Sequence, residues 1–305
     1  MNGGTQTLSG VNTYGGATTI NAGTLALTGA GRLASGTTVA LTGATSALDL
    51  SAGAGQTVAH LSGVAGSRVV LNGSALTLAD DSSQAFGGSL SGNGSLIKQG
   101  TGTLTLNGVS SSFSGSTTVA GGTLAVGDAA NASAVLGGNV LVNALGTLRG
   151  HGTVSGDVSS SGVVAPGGSI GTLSVGGNYT QASGGTLAIE VSPTDASQLR
   201  VGGAAALGGS LAIVFDPGTY TARRYTVLSA ANGVTGRFAN VSTATAGASL
   251  GTLQTSVDYG ANAVDLLLAE ATAPGAPGGG TVVAPTKTSI YTCLLYTSDA
   301  ADERG

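Results

Sequence analysis

The sequence predicts an all-β fold, a parallel β-solenoid (β-helix) with a capping region near its C-terminal end. Three observations support it: 55 glycines in 305 residues, one recurring tripeptide, and short runs of alternating apolar residues. Gly-Thr-Leu begins at Gly23, Gly102, Gly122, Gly146, Gly171, Gly185 and Gly251. From Gly102 to Gly171 the steps are 20, 24 and 25 residues, which predicts one solenoid coil for each step.

The predicted strands are short and buried on one face. Apolar residues two positions apart, such as Leu104 and Leu106 or Leu124 and Val126, lie on the same side of a strand. One coil cannot bury such a face alone, but stacked coils place each Leu or Val on its counterpart and form a continuous core. Glycine suits the corners between strands because it tolerates positive φ.

The composition excludes several classes of protein. Charged residues make up 8% of the chain and the formal net charge is −4, so a nucleic-acid binder is not expected. Only 6 prolines argue against collagen, and no apolar run reaches the roughly 20 residues of a membrane-spanning helix. Nothing in the composition indicates an enzyme.

The chain divides into four predicted segments. Residues 1–150 carry the solenoid repeats, and residues 151–270 form a cap richer in Tyr and Phe, since a solenoid needs its last coil covered. Residues 271–292 contain a Pro/Gly linker. Residues 293–305 hold the one cysteine and resemble the translated read-through of a sequencing adapter, so we exclude them from the fold.

Two blocks of the chain match each other and a known family. Tyr14–Leu27 aligns with Phe113–Val126, 99 residues later, with volume-conserving changes. The wider blocks, Leu8–Leu27 and Thr103–Val126, resemble the autotransporter-associated β-strand repeat, roughly G-x-L-x-L-x-G-x-N-x-Y-x-G-x-T-x-V-x-x-G-T-L. The stretch Val164–Leu173, with Gly177–Gln181, resembles the junction that precedes the translocator barrel of autotransporter passengers.

This resemblance implies a right-handed parallel β-helix that is exported by type V secretion to the surface of a Gram-negative bacterium, or secreted. The implied role is a non-catalytic stalk for adhesion or cell-surface interaction, whose junction acts as an autochaperone. The implied partners are its own C-terminal β-barrel translocator, the outer-membrane assembly machinery, and host or cell-surface glycans or proteins. Neither a signal peptide nor a barrel is visible, so the expectation is a gene fragment.

We predict no catalytic, cofactor-binding or metal-binding residues. His60 and His151 lie 91 positions apart, whereas a metal site needs three or four ligands. Asp80-Asp81 is expected in a solvated turn, although stacking of coils could bring Asp80 near Asp49. Arg223-Arg224 is interpreted as a solvated strand edge that discourages pairing.

Two other functions stay open at this point. A β-helical carbohydrate-active enzyme, a lyase or hydrolase, would need three or more carboxylates or an Arg–Asp cluster on one solenoid face. A glycan- or ice-binding solenoid would need flat outward ladders of threonine, which Thr18-Thr19 and Thr117-Thr118 match weakly.

Overall fold

The computed structural model describes residues 1–79 and 81–271. Within these residues the chain is built from short β-strands, and the single helical turn is a 3-10 turn at Ala129–Asn131. The strands form a parallel β-solenoid of about ten turns, which confirms the predicted fold class. The right-handed twist of the coil stays a prediction.

Three sides of the solenoid carry the sheets. The longest, here called the long sheet, has eleven strands, in axial order Thr18–Ile20, Thr38–Leu41, His60–Gly63, Gln84–Phe86, Thr103–Leu106, Gly122–Val126, Gly146–Gly150, Val163–Pro166, Thr186–Val191, Ser210–Phe215 and Asn240–Thr245. The second has nine strands, Gln56–Val58, Ala75–Leu78, Ser95–Lys98, Ser116–Val119, Asn139–Val142, Val158–Ser160, Tyr179–Gln181, Ala205–Leu207 and Val234–Gly236.

The third side is divided between two sheets. Its first half is a five-stranded sheet, Asn2–Leu8, Ala22–Gly29, Ser46–Gly53, Arg68–Val70 and Ser89–Ser91. Its second half is an eight-stranded sheet, Val109–Ser110, Val135–Leu136, Thr153–Val154, Thr172–Val175, Gln198–Val201, Arg223–Ala230, Ala263–Glu270 and Leu253–Tyr259. A two-stranded ladder joins Gly218–Thr219 to Ala248–Ser249. Where the two halves meet, the Leu90 N–H donates to the Ser110 hydroxyl at 2.9 Å.

The recurring tripeptide stacks on itself in the long sheet. Thr103 pairs with Thr123 and Thr123 with Thr147, so three Gly-Thr-Leu copies lie in register at offsets of 20 and 24 residues. The predicted step from Gly146 to Gly171 is wrong. Thr172 and Leu173 lie in the eight-stranded sheet, while Leu148 pairs with Val164, only 16 residues later. A tripeptide thus marks a strand but not the side on which that strand lies.

The core is a stack of aliphatic side chains along the axis. Leu104, Leu124, Leu148, Val164 and Leu187 succeed one another in the long sheet and are all fully buried. The residues between them, including Thr105 and Thr147, face outward and are partly exposed. The alternation read from the sequence therefore assigns inside and outside correctly on this sheet.

Corner glycines permit the coils to approach each other closely. At the corner that precedes the nine-stranded sheet, a Cβ on Gly115 would lie 1.7 Å from the Gly94 carbonyl oxygen. A Cβ on Gly138 would lie 1.8 Å from the Gly115 carbonyl oxygen, one coil further on. Any side chain at these positions would push adjacent coils apart. Here glycine is required by the space between coils, in addition to the positive φ of 69° at Gly138.

A change of strand direction closes the C-terminal end. Arg223–Ala230 pairs in parallel with Gln198–Val201 but antiparallel with Ala263–Glu270, which in turn pairs antiparallel with Leu253–Tyr259. Leu266 and Val264 of this terminal hairpin are fully buried against the last coils. Meanwhile the long sheet runs on past residue 150 without interruption. The predicted linker, from residue 272 onward, and the predicted adapter tail lie outside the described residues.

Truncating one core leucine should destabilise the whole solenoid, whereas its outward neighbour should be tolerated. We expect Leu148→Ala to lower the free energy of unfolding by about 2–5 kcal/mol, because it leaves a cavity between two coils. Thr147→Ala, the matched control on the outward face, should change it by about 0.5 kcal/mol or less. Urea unfolding followed by circular dichroism measures both, and equal losses would contradict the assigned facing.

Candidate functional site

The two histidines lie far apart in the fold. His60 begins a long-sheet strand, and His151 lies in the bend after Gly146–Gly150, where its ring packs close to Gly171. Among the described residues, no three His, Cys, Asp or Glu side chains come together in a group able to hold a metal ion. The residues weighed from the sequence therefore do not converge on a common site.

One serine and one histidine do come into contact. Ser82 Oγ lies 3.5 Å from His60 Nδ1 on the exposed surface. Working nucleophile–base pairs are usually separated by about 2.6–3.2 Å and oriented by a third group. The long separation fits a surface contact better than an activated nucleophile.

The acidic residues singled out from the sequence bind neighbouring backbone where they are described. The Asp81 carboxylate accepts hydrogen bonds from the Thr101 N–H at 2.7 Å and the Thr101 hydroxyl at 3.0 Å, which ties two coils together. Asp49 accepts from the Ser51 N–H within its own strand. Asp80 lies outside the described residues, so its stacking near Asp49 stays a prediction.

Arg223-Arg224 are exposed, and they form an unpaired edge on one side of their strand only. On the other side they pair with Leu268 and Leu267 of the reversed hairpin, whereas pairing with Gln198–Val201 begins at Leu228. The Arg224 guanidinium pairs with Asp265 at 2.7 Å and Asp258 at 3.1 Å, and both carboxylates hold its pKa above the ordinary value. Arg223 lies over the ring of Tyr225. These contacts fasten the hairpin to the last coil.

Polar side chains form a ladder along one corner of the junction. Asn139 Oδ1 accepts from the Asp157 N–H, Asp157 Oδ1 accepts from the Asn178 N–H at 2.7 Å, and Asn178 Oδ1 accepts from the Ala204 N–H. Beside it, the buried Tyr179 hydroxyl donates to Gln181, and burial raises the pKa of that phenol. The Asn-Tyr-Thr-Gln part of the junction motif thus has a structural explanation in hydrogen bonds between coils.

The rest of the junction motif is a tight turn. After Pro166 the chain folds back, and Gly167 and Gly150 exchange two backbone hydrogen bonds of 2.7 Å. Gly167 has φ +86°, and a Cβ there would lie 1.9 Å from the Ser169 carbonyl oxygen. At the next residue, Gly168, the nearest atom to a Cβ would be the Arg149 guanidinium at 3.8 Å. Only the first of these two glycines is required by the backbone.

This turn helps to shape a groove on the outward face of the long sheet. The groove has a volume of about 280 Å³. Its floor is made of small side chains, Ala165, Ala188 and Ala212, and one wall carries the hydroxyls of Thr147 and Thr186. The sequence pattern gave no sign of this groove, since it depends on where the turn leaves the sheet.

Two opposite charges, Arg149 and Glu190, line the groove. Asp216 follows the neighbouring strand Ser210–Phe215 and is not among the lining residues, but it is close enough to Glu190 to act on its carboxylate. Burial, with repulsion from Asp216, raises the pKa of Glu190, although Arg149 opposes the rise; burial also raises the pKa of Asp216. Within the described residues none of these three side chains makes a hydrogen bond or an ion pair.

Threonine ladders are present, but only partly where they were expected. Thr19 and Thr118 face outward as the ladder hypothesis requires, whereas Thr117 is fully buried and its hydroxyl has no hydrogen-bond partner in the described chain. The outward ladder that does form is Thr103, Thr123 and Thr147 in the long sheet, and Val163 interrupts it.

One known protein family matches both of the repeat blocks. Residues 2–27 and 96–126 match the family described as passenger-associated-transport-repeat. In the structure each block closes one coil: Leu8 pairs with Leu27, and Leu106 with Val126. The predicted resemblance to autotransporter passenger repeats is confirmed. Among the described residues, no helix is both long and apolar enough to span a membrane.

Curated proteins also show similarity. The chain is 38% identical over 125 residues to the adhesin BmaC autotransporter of Brucella suis biovar 1 (strain 1330), covering 40% of this chain and 4% of that protein. It is 34% identical over 202 residues to an extracellular serine protease of Serratia marcescens, covering 62% of this chain and 18% of that protein. The uncharacterized lipoprotein YdeK of Escherichia coli (strain K12) is 35% identical over 103 residues, covering 34% of this chain and 7% of that protein.

The two glycines of the turn should respond differently to a methyl group. We expect Gly167→Ala to lower the free energy of unfolding by about 1–2 kcal/mol or more, because position 167 has a positive φ and a Cβ there would clash with the Ser169 carbonyl oxygen. Gly168→Ala, the matched control, should stay within about 0.5 kcal/mol of the parent. Thermal unfolding of both variants provides the test, and a Gly168→Ala loss as large as that of Gly167→Ala would contradict the turn geometry.

The half-buried Glu190 should make stability depend on pH. A carboxyl group with a raised pKa in the folded state stabilises the fold below its unfolded pKa, about 4.3, and this contribution is lost as pH rises through the folded value. A glutamine at position 190 does not ionise, so the Glu190→Gln variant does not lose this stabilisation as the pH rises. Its Tm at pH 7 should therefore exceed that of the parent by roughly 1–2 °C. At pH 4 the difference should shrink. A Tm lower than the parent's at pH 7, measured by calorimetry, would contradict the assignment.

Proposed function

We propose that this chain serves as a non-catalytic passenger stalk, displayed on the surface of a Gram-negative bacterium or secreted from it, and that it acts in adhesion or cell-surface contact. The observation that carries the proposal is the match of two blocks to the passenger repeat within one uninterrupted solenoid. The similarity to a protein named as an autotransporter adhesin supports the adhesive role. The chain spans 18% or less of the length of these three relatives, so the role is that of one part of a passenger.

Residues 151–270 are proposed to act as the segment that folds first during export. The terminal hairpin supports this role, because its two strands are neighbours in sequence and pair through seven residues. Local pairing forms faster than the pairing of strands one coil apart. Once formed, the hairpin and the last coils offer an edge on which each preceding coil can stack. Folding outside the cell would then oppose backward movement of the chain through its translocator partner.

The lock on this hairpin consists of both polar and apolar contacts. Arg224 holds Asp258 and Asp265, and the Thr226 hydroxyl donates to Asp265 at 2.6 Å. Phe238 packs against Tyr259, over which the Arg237 guanidinium lies 4.6 Å from the ring centroid. Because these groups join the hairpin to the last two coils, the end of the solenoid is covered rather than open.

An enzyme on the same scaffold, such as a glycan lyase or a hydrolase, is the alternative. The similarity to a protein named as an extracellular serine protease favours a hydrolase among these. Among residues 1–79 and 81–271, the Arg–Asp cluster is the one in which Asp258 and Asp265 both bind Arg224 at the terminal hairpin. The groove on the long sheet is lined by one carboxylate, Glu190, and one guanidinium, Arg149, fewer acids than the three expected for a lyase site. These contacts support a structural role more than catalysis.

Surface display tests the proposed order of folding. The chain is fused ahead of a translocator barrel and expressed in a Gram-negative host, and surface-exposed protein is counted with an antibody to an N-terminal tag. We expect Leu266→Ala, in the hairpin, to reduce display about tenfold or more, and Leu78→Ala, in an early coil, to reduce it by less than about threefold. Both leucines are fully buried, so the two truncations are matched. Equal display of the two variants, or normal display after deletion of residues 152–270, would refute the role of the junction.

A further inference from the structure

The long sheet ends, at the cap, in a strand with a free edge. The terminal hairpin covers the end of the core, but its strands belong to the eight-stranded sheet. Asn240–Thr245 pairs with Ser210–Phe215 on one side, and no described residue pairs with it on the other. A free strand edge presents backbone donors and acceptors that can pair with another chain.

Alternate peptide groups of this strand point away from the sheet. The Ala246 N–H donates to the Phe215 carbonyl oxygen at 2.9 Å, so the even-numbered positions here bond to the neighbouring strand. Because successive residues of a strand point in opposite directions, the N–H and C=O groups of Val241, Thr243 and Thr245 lie on the free side. Three sets of backbone donors and acceptors are thus available to one more strand.

This edge lacks the features that usually protect free edges, which are charged side chains, proline or a bulge. Asn240–Thr245 reads Asn-Val-Ser-Thr-Ala-Thr and pairs with its neighbour through six residues without a shift of register. The two other described edge strands of six or more residues differ. Asn2–Leu8 has a register shift, and Leu253–Tyr259 carries Asp258. The last strand of the long sheet is therefore the edge best suited to pairing.

An apolar cleft lies beside this edge. It has a volume of about 90 Å³ and is lined by residues of both the last long-sheet strand and the hairpin. Val241 on one side, and Val257 and Tyr259 on the other, are only half-buried against the core. Alternate side chains of an added strand would continue the file of inward residues beyond Val241, so they would point into the cleft.

One positive charge stands at the cleft without a negative partner. Arg237 is exposed, lies over the ring of Tyr259, and makes no ion pair with any described residue. No carboxylate is among the residues that line the cleft, and the nearby Asp258 is held by Arg224. The cleft therefore favours a ligand that brings a carboxylate.

We propose that the free edge of Asn240–Thr245 binds an extended peptide strand of a partner protein, with alternating apolar side chains and an acidic residue that reaches Arg237. The peptide pairs with the outward peptide groups of the edge, and its apolar side chains enter the cleft. The biological meaning of this surface rests on the adhesive role proposed above, although binding by the purified chain does not depend on export.

Fluorescence anisotropy tests the proposal on the whole purified chain. The probe is a labelled acetyl-Asp-Val-Thr-Val-Thr-Val-Asp-amide, in which one acid reaches Arg237 whether the strand adds in parallel or antiparallel. A peptide with Asn in place of both Asp should bind about three- to fivefold more weakly, the ratio that one exposed ion pair supplies. A peptide with N-methyl groups on its central Val-Thr-Val should lose about tenfold or more, because it cannot complete the backbone pairing.

Hydrogen exchange of single amides, measured by NMR, locates the bound peptide. With the Asp peptide at saturation, the N–H groups of Val241, Thr243 and Thr245 should exchange at least about tenfold more slowly than in the free chain. The N–H groups of Asn2–Leu8, an edge strand at the other end of the solenoid, should not change.

Matched variants separate backbone pairing from charge. Thr243→Pro removes an outward N–H and should weaken binding about tenfold or more, whereas Thr243→Val keeps that N–H and should bind at least as tightly as the parent. Arg237→Gln should abolish the preference for Asp over Asn. Arg223→Gln is its control, because Arg223 also lies over a tyrosine ring but does not line the cleft. Circular dichroism checks each fold, and Arg237→Gln decides the matter if Thr243→Pro does not fold.

Several results would overturn the proposal. Equal binding of the Asp and Asn peptides, no binding up to millimolar concentration, or binding that survives N-methylation would each do so. Slow exchange of the three edge amides in the free chain would also overturn it, because a second copy or another part of the same chain would then hold the edge; sedimentation velocity identifies the second copy. Failure of the peptide test with normal surface display of the parent would leave the passenger role standing, so the two proposals can fail separately.

Discussion

The close stacking of one coil on the next is the constraint on which the whole molecule depends. Parallel strands stand about 4.8 Å apart, so every atom at a corner meets its equivalent one coil away. Inside, the constraint stacks one aliphatic side chain on the next, as in the series Leu148, Val164 and Leu187. At the corners it excludes even a methyl group, as the 1.7 Å and 1.8 Å approaches at Gly115 and Gly138 demonstrate. The glycine content and the aliphatic core are two results of the same spacing.

The ends of such a stack need different chemistry from its middle. Within the stack, threonine and serine cover the outward faces and few charges are present. At the C-terminal end, Arg224, two aspartates and several aromatic rings gather around one hairpin. The difference follows from neighbours: a middle coil has a partner on each side, whereas the last coil has to be covered by side chains from a strand running in the opposite direction.

The facing of residues could be predicted from the sequence, because alternation is local and a strand has a period of two. Leu104 and Leu124 are inside and Thr103 and Thr123 outside, as expected. The side on which a strand lies could not be predicted, since it depends on the length of every preceding turn. For this reason the sequence does not show that Gly171 precedes a strand of a different sheet, or that a reversed hairpin pairs with one side of Arg223-Arg224. The groove could not be predicted for the same reason. It depends on the point at which the chain leaves the long sheet, in the turn at Pro166–Gly171.

The reversed hairpin also limits what copies of this protein can do to each other. A solenoid that ended in a bare parallel edge would offer the same backbone template at its last coil as at any other, and a second molecule could continue it into a fibre. Ending the eight-stranded sheet with two antiparallel strands breaks that translational symmetry, so the template is not repeated on this side. On this side of the cap end, a second molecule would therefore meet the outer strand of a hairpin, Leu253–Tyr259, instead of a coil that its own first coil could continue.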